Sequence, residues 1–300
     1  KELTVCALLL AARDVVGGIT WAQTLAGGAD VAKAVEKGKS QFAGIELQGK
    51  TLGVIGLGAI GGLVANVAVD LGMNVIGCDP FLSVEGAWNL DKQIHKAATY
   101  EEIYEKADFI SLHVPATKET KGMINAETIA MMKDGVRLLN LSRADLVNLA
   151  DMKAALESGK MAAYVTDFPT EEVLGVKGVV AIPHLGASTE ESEDNCAVMA
   201  CQEIDDFLTN GNIKNSVNYP AVSMPRSGDC RICIMNANVP AVMTGITRVL
   251  SEQGVNIENL TNKSRGNVAY TLVDITGKLD DQTEQMIEAI DGIIRVRVID

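Results

Sequence analysis

Three residues combine types suited to proton and carboxylate chemistry: Arg143 in Leu139-Asn140-Leu141-Ser142-Arg143, Glu171 in Asp167-Phe168-Pro169-Thr170-Glu171, and His184 in Ile182-Pro183-His184-Leu185-Gly186. An imidazole titrates near neutrality and can take a proton from a hydroxyl group. A neighbouring carboxylate orients such a ring, and a guanidinium holds a carboxylate in two hydrogen bonds. Taken singly, Arg143 could be a surface residue after a strand, and His184 a core histidine beside the next helix. Together they are stronger candidates, because all three follow carboxyl ends of predicted parallel strands, where open α/β sheets bind ligands.

A second constellation supplies a partner for that chemistry. Gly56-Leu57-Gly58-Ala59-Ile60-Gly61 follows the apolar run Thr51–Ile55, opens onto the helical pattern Gly62–Ala68, and is followed by Asp79 at the end of another apolar run. Strand, glycines, helix, second strand and terminal acid in this order form a dinucleotide-binding fingerprint. Gly56 permits the tight turn, Gly58 lets the backbone approach a pyrophosphate, and Gly61 allows close helix–strand packing. Asp79 is expected to accept the adenosine ribose hydroxyls and to repel a 2′-phosphate, favouring NAD over NADP. A hydride acceptor beside a base and a carboxylate clamp suits oxidation of a hydroxy acid.

These residues need an alternating α/β frame. Predicted strands at Asn74–Cys78, Phe109–Val114, Val136–Leu141, Ala162–Val165 and Val179–Ile182 alternate with helices, giving a doubly wound parallel Rossmann sheet over residues 51–187. Residues 1–50 read as a helical entry segment, with one helix running from Leu3 to Val15. Ser188-Thr189-Glu190-Glu191 reads as a capping box with Ser188 as N-cap, opening a long connecting helix over 188–211. A Pro/Ser/Gly-rich linker at 212–229 follows. Residues 230–300 then carry a βαββαβ, ferredoxin-like order. Of the other histidines, His113 reads as a satisfied core residue and His95 as solvated.

Composition narrows the partners. A net charge of −13 argues against nucleic acid and anionic membranes, leaving small molecules or further copies of the chain. With 47% hydrophobic residues the chain can bury a real core, and no apolar run approaches the ~20 residues of a membrane span. The six cysteines lack disulfide-like spacing and read as buried reduced thiols in a cytoplasmic protein. Cys230 and Cys233 would point to opposite faces of a strand, so no metal site is expected. Lys1 is not a natural start, and residues are expected to precede it.

The stretches Leu52–Gly61, Ser111–Thr117, Asn140–Arg143, Phe168–Glu171, Pro183–Ser188 and Asn212–Val217 resemble the D-2-hydroxyacid dehydrogenases, in particular the form ending in an ACT domain. That resemblance implies a catalytic trio of Arg143, Glu171 and His184. It implies a cofactor site that adds Ala59, Ile60, Pro115, Leu141, Ser142, Gly186 and Ala187 to the fingerprint. Asp167 would stand by the nicotinamide amide; the segment before Phe168 is one residue shorter than the family's Asp-Val-Phe, so Thr166 competes for that role. The implied reaction is NAD-dependent oxidation of 3-phospho-D-glycerate to 3-phosphohydroxypyruvate, the first step of L-serine biosynthesis. Alternatives are a related 2-hydroxyacid or 2-hydroxyglutarate dehydrogenase, or a silent module binding NAD and an effector. The same resemblance implies L-serine as effector at Asn236, Asn238 and Asn256, a homo-oligomer (dimer or tetramer), and a substrate lobe of roughly eighty to ninety residues ahead of Lys1.

Overall fold

Short apolar runs build two separate sheets in the computed structural model, which describes residues 1–300 as two units, Lys1–Ser188 and Thr189–Asp300. The first unit opens with three helices, α1 (Glu2–Ala12), α2 (Val15–Gln23) and α3 (Val31–Gly38). The single helix expected to reach Val15 is thus broken. Arg13 is extended, and the Asp14 carboxylate accepts the Gly17 N–H at 2.9 Å, capping a new helix.

Strands and helices then alternate: β1 (Thr51–Ile55), α4 (Gly61–Asp70), β2 (Asn74–Cys78), α5 (Val84–Trp88), β3 (His95–Lys96), α6 (Tyr100–Lys106), β4 (Phe109–Leu112), α7 (Ala126–Met131), β5 (Val136–Asn140), α8 (Leu149–Ser158), β6 (Met161–Thr166) and β7 (Val179–Ala181). All seven strands run parallel in the order β3-β2-β1-β4-β5-β6-β7. Apart from the short, exposed β3, the strands feed both faces, as period two requires: Leu138 joins one core and Leu139 the other. One core gathers Ala7, Leu8 and Ala11 of α1 with Val64 and Ala65 of α4; the opposite core gathers Ile103 of α6, Ile129 of α7 and Met152 of α8. The doubly wound expectation holds, and β1 and β4 flank the point where strand order reverses. The strand β4 ends at Leu112, two residues earlier than predicted, although the His113 N–H still donates to Ile55 O of β1 at 2.7 Å.

In the second unit a 21-residue helix, α9 (Glu190–Asn210), is capped by Thr189, whose hydroxyl accepts the Ser192 N–H at 3.1 Å. Ser188 is not the N-cap, because its own N–H closes a turn onto Leu185 O. There follow β8 (Cys230–Ala237), α10 (Val242–Glu252), β9 (Ile257–Arg265), β10 (Val268–Ile275), α11 (Asp281–Glu288) and β11 (Ile293–Ile299). The strands form an antiparallel sheet ordered β11-β8-β10-β9, a βαββαβ arrangement. One face packs Ile232, Ile234 and Val273 against Ile246, Leu250 and Ile287 of its helices. Cys230 and Cys233 join different clusters, on opposite faces as their spacing requires. The expectation of uniformly buried thiols fails, since Cys6, Cys196 and Cys201 lie on exposed positions of α1 and α9.

Candidate active site

The glycine loop stands at the carboxyl end of β1. Gly56 adopts φ +91°, and a Cβ there would lie 2.4 Å from His113 O; a Cβ on Gly61 would lie 1.9 Å from Gly56 O. Only glycine fits either position without moving backbone. Above Gly58, by contrast, nothing lies within 4 Å of a Cβ position, and no side chain caps the start of α4. Asp79, just past β2, accepts the Leu57 N–H at 2.9 Å and the Phe81 N–H at 2.8 Å, one on each carboxylate oxygen, and so ties the loop to the second strand.

Two hollows share Gly58 and Ala59. One, of about 520 Å³, reaches Asp79, Phe81 and Ser83. The other, of about 450 Å³, brings together Gly58 to Gly61, Pro115, Leu141, Ser142, Arg143, Asp167, His184, Gly186 and Ala187. Nearly every residue named from sequence for cofactor or substrate thus faces one of the two hollows. Gly56 lies beneath the loop, and Glu171 faces neither hollow.

The loops after β5, β6 and β7 present the reactive side chains. Asn140 is fully buried; its amide donates to Arg143 O at 2.9 Å and its carbonyl accepts the Ser142 N–H at 3.3 Å. Ser142 donates to Leu112 O, and the exposed Arg143 donates through Nη1 to Ser142 O at 2.6 Å. His184 is 61% exposed; its Nδ1 lies 2.9 Å from Asp167 Oδ2, and its ring stands 5.4 Å from that of Phe168. Burial pushes the Asp167 carboxyl above the ordinary carboxylate value against the opposing pull of His184, and its Oδ1 has no partner. Thr166 turns inward and accepts the Phe168 N–H at 3.2 Å, so Asp167 is the residue of this pair that faces the hollow.

Glu171 requires a correction. It sits exposed in the turn after Thr170 and makes no hydrogen bond or ion pair; the carboxylate against His184 is Asp167. His113 is the satisfied, largely buried residue expected: it bonds Ser111 Oγ through Nε2 at 2.8 Å, and it also lines the second hollow. The alternation Ser111-Leu112-His113 carried that signal, since residues two apart share a strand face.

The three asparagines of the second unit do not converge within one chain. Asn236 is buried and accepts from Thr271 Oγ1 at 3.3 Å, while Asn238 donates to Gly266 O at 3.0 Å at the same end of the sheet. Asn256 bonds Glu258 and Thr276 at the opposite end, beyond the Cys230–Ile275 pair.

Open space over Gly58, an uncapped helix start, an acid past β2 and an unpartnered buried oxygen at Asp167 fit a dinucleotide laid along both hollows. The family model "D-isomer specific 2-hydroxyacid dehydrogenase, NAD binding domain" matches residues 8–186. D-3-phosphoglycerate dehydrogenase of Bacillus subtilis (strain 168) is 41% identical over 197 residues, which cover 64% of this chain and 37% of that protein. The Escherichia coli (strain K12) protein of the same name is 32% identical over 267 residues, 85% of this chain and 64% of that one. The chain therefore spans less than two thirds of the length of either relative. Among solved structures, apo D-mandelate dehydrogenase of Rhodotorula graminis aligns with a TM-score of 0.63 at 26% identity, covering 75% of this chain and 66% of that one. The family match starts inside α1, ends in the His184 loop and takes in the glycine loop, Asp79, Arg143, Asp167 and His184, and the chain belongs to the D-isomer specific 2-hydroxyacid dehydrogenases, whose NAD binding domain it carries.

Proposed function

We propose that the protein carrying this chain oxidises 3-phospho-D-glycerate to 3-phosphohydroxypyruvate with NAD, the step that opens L-serine biosynthesis. The observation that carries the reading is one hollow of about 450 Å³ lined by the glycine loop, Arg143 and His184. NAD, when bound, accepts the hydride that leaves C2 of the substrate. His184 takes the hydroxyl proton: with Nδ1 turned to Asp167, Nε2 keeps its lone pair for the hollow. Arg143 spends one Nη1 bond on Ser142 O and keeps its other N–H groups for the substrate carboxylate. The names of the Bacillus and Escherichia relatives support the phosphorylated substrate.

NADH absorbance tests the reading. Turnover of 3-phospho-D-glycerate should exceed that of D-lactate, D-mandelate and 2-hydroxyglutarate, and His184→Asn should lower kcat at least about 100-fold, the usual range for a lost general base. Preference for an unphosphorylated acid moves the protein to a sister dehydrogenase. NAD binding with no turnover of any of these acids leaves a silent module.

Residues 230–300 serve in this proposal as an ACT-like regulatory unit reached through a linker at 212–229, with 188–211 the connecting helix, 51–187 the dinucleotide unit and 1–50 its helical entry. Asn236 and Asn238 at one end of the sheet, with Asn256 at the other, support an L-serine site shared between two copies of a homo-oligomer. Calorimetry with L-serine, repeated on Asn238→Ala, tests it. No single helix is long and apolar enough to cross a membrane, and the cytoplasm is the compartment proposed.

A further inference from the structure

One stripe of α1 runs from the core to the second hollow. Ala7, Leu8 and Ala11 pack into the core with Val64 and Ala65 of α4, and one turn earlier Thr4 is still buried, at 4% exposed. Lys1 continues the same stripe, since residues three and four apart share a helix face. The stripe turns polar where it leaves the core, and Lys1 and Thr4 both line the hollow that holds Arg143 and His184. Glu2, one residue off the stripe, does not line it.

Both polar members lack a partner within the chain. Lys1 is exposed and enters no ion pair. Thr4 Oγ1 takes part in no hydrogen bond, yet it is not sealed: the buried side-chain atoms with neither partner nor access are Asp167 Oδ1 and Thr283 Oγ1. A buried hydroxyl is costly to leave unpaired, and this one opens on the space that Thr4 lines.

The two hollows differ in charge. Lys1 and Arg143 are the Lys and Arg side chains of the second and the first has none, in a chain of net charge −13. Asp167 is the acid of the second hollow, and it is turned to His184. Two separate cations suit a ligand with two anionic ends: a guanidinium fork matches a carboxylate, and an ammonium is a point charge fit for a phosphate. We infer that Lys1 and Thr4 bind the phosphate of the substrate, Lys1 as counter-charge and Thr4 as hydroxyl donor, and so select a phosphorylated over an unphosphorylated 2-hydroxy acid. The contact rests on the reading of 3-phospho-D-glycerate as substrate. Neither side chain touches a reacting atom, so loss of either raises KM and leaves kcat nearly unchanged.

Kinetics of the protein carrying this chain, at about pH 8 where the substrate phosphate is a dianion, test it with 3-phospho-D-glycerate against D-glycerate. Lys1→Met should lower kcat/KM for the phosphorylated acid, relative to D-glycerate, by at least about tenfold through KM, and Lys1→Arg should recover most of the loss. A smaller loss, or an equal loss on both acids, overturns the assignment. The isosteric Thr4→Val should lower the same ratio at least about threefold, and an unchanged ratio overturns the hydroxyl contact. Calorimetry with NAD, unchanged within about twofold in every variant, certifies the fold. An NAD loss as large as the substrate loss places Lys1 on the cofactor pyrophosphate and overturns the site as well. Binding of 3-phospho-D-glycerate to the NADH-loaded protein reads the same contact without turnover. Phosphorylated acid that binds through Lys1 but is not oxidised refutes the reaction and leaves the site standing; acid oxidised equally well by Lys1→Met refutes the site and leaves the reaction standing.

Discussion

His113 shows how a single residue couples the site to stability. Its ring lies under the glycine loop, with Cβ 3.2 Å from where a Cβ of Gly61 would stand, and burial drives its imidazole down from 6.5 to about 4. An unfolded histidine titrates near ~6.5, so between roughly pH 6.5 and pH 4 the unfolded chain binds the extra proton. Stability from the neutral ring is therefore full above about pH 6.5 and lost as pH falls toward about 4, by up to about 3 kcal/mol. Urea midpoints of the first unit should drop across that window, and His113→Asn should flatten the slope. An unaltered slope in the variant would assign the acid sensitivity to the carboxylates instead.

Among the elements, the second unit depends on one buried ion pair. Arg231 of β8 meets Asp274 of β10 in a two-pronged contact, Nε to Oδ1 at 2.6 Å and Nη2 to Oδ2 at 2.8 Å, with both side chains shut off from water. Arg231 Nη1 also donates to Asn210 O at the end of α9, and the Ser227 N–H, just ahead of β8, donates to Asp274 at 2.9 Å. Helix end, the segment before β8 and two strands thus share one charged knot. Burial alone would raise the Asp274 pKa; the bonds from Arg231 and Ser227 overcome it and hold the carboxyl below its ordinary value. A depressed folded value means that this contribution is present above the unfolded pKa of about 3.9 and lost as pH falls below it. Arg231→Met leaves a buried carboxylate without its partner and should cost about 3–5 kcal/mol in urea unfolding of the second unit. Loss of under about 1 kcal/mol would show that water reaches Asp274.

At the scale of the whole molecule, each unit has its own cores, and the dinucleotide groove belongs to the first. NAD should slow amide exchange in residues 53–62 and 140–145 and leave β8 to β11 unchanged, as read by hydrogen-exchange mass spectrometry. Protection spreading into the second sheet would show that cofactor binding couples the units. The acidic balance of −13 leaves recognition to shape and to a few placed cations such as Arg143. Much of this was legible in the chain alone, because Gly56, Gly61 and Asp79 act within a strand–turn–helix–strand run whose period and glycine positions are local properties. The parallel sheet and the βαββαβ order followed from the same periodicities. Helix starts at Asp14 and Thr189 were less legible, since neighbouring Ser, Thr and Asp residues compete for one cap and only the turn before them selects the winner. Tertiary structure alone decided which carboxylate meets His184: Asp167 and Glu171 are both acids in the right loop. The choice depended on the Thr166–Ala181 register and the strand face, which no residue type encodes by itself.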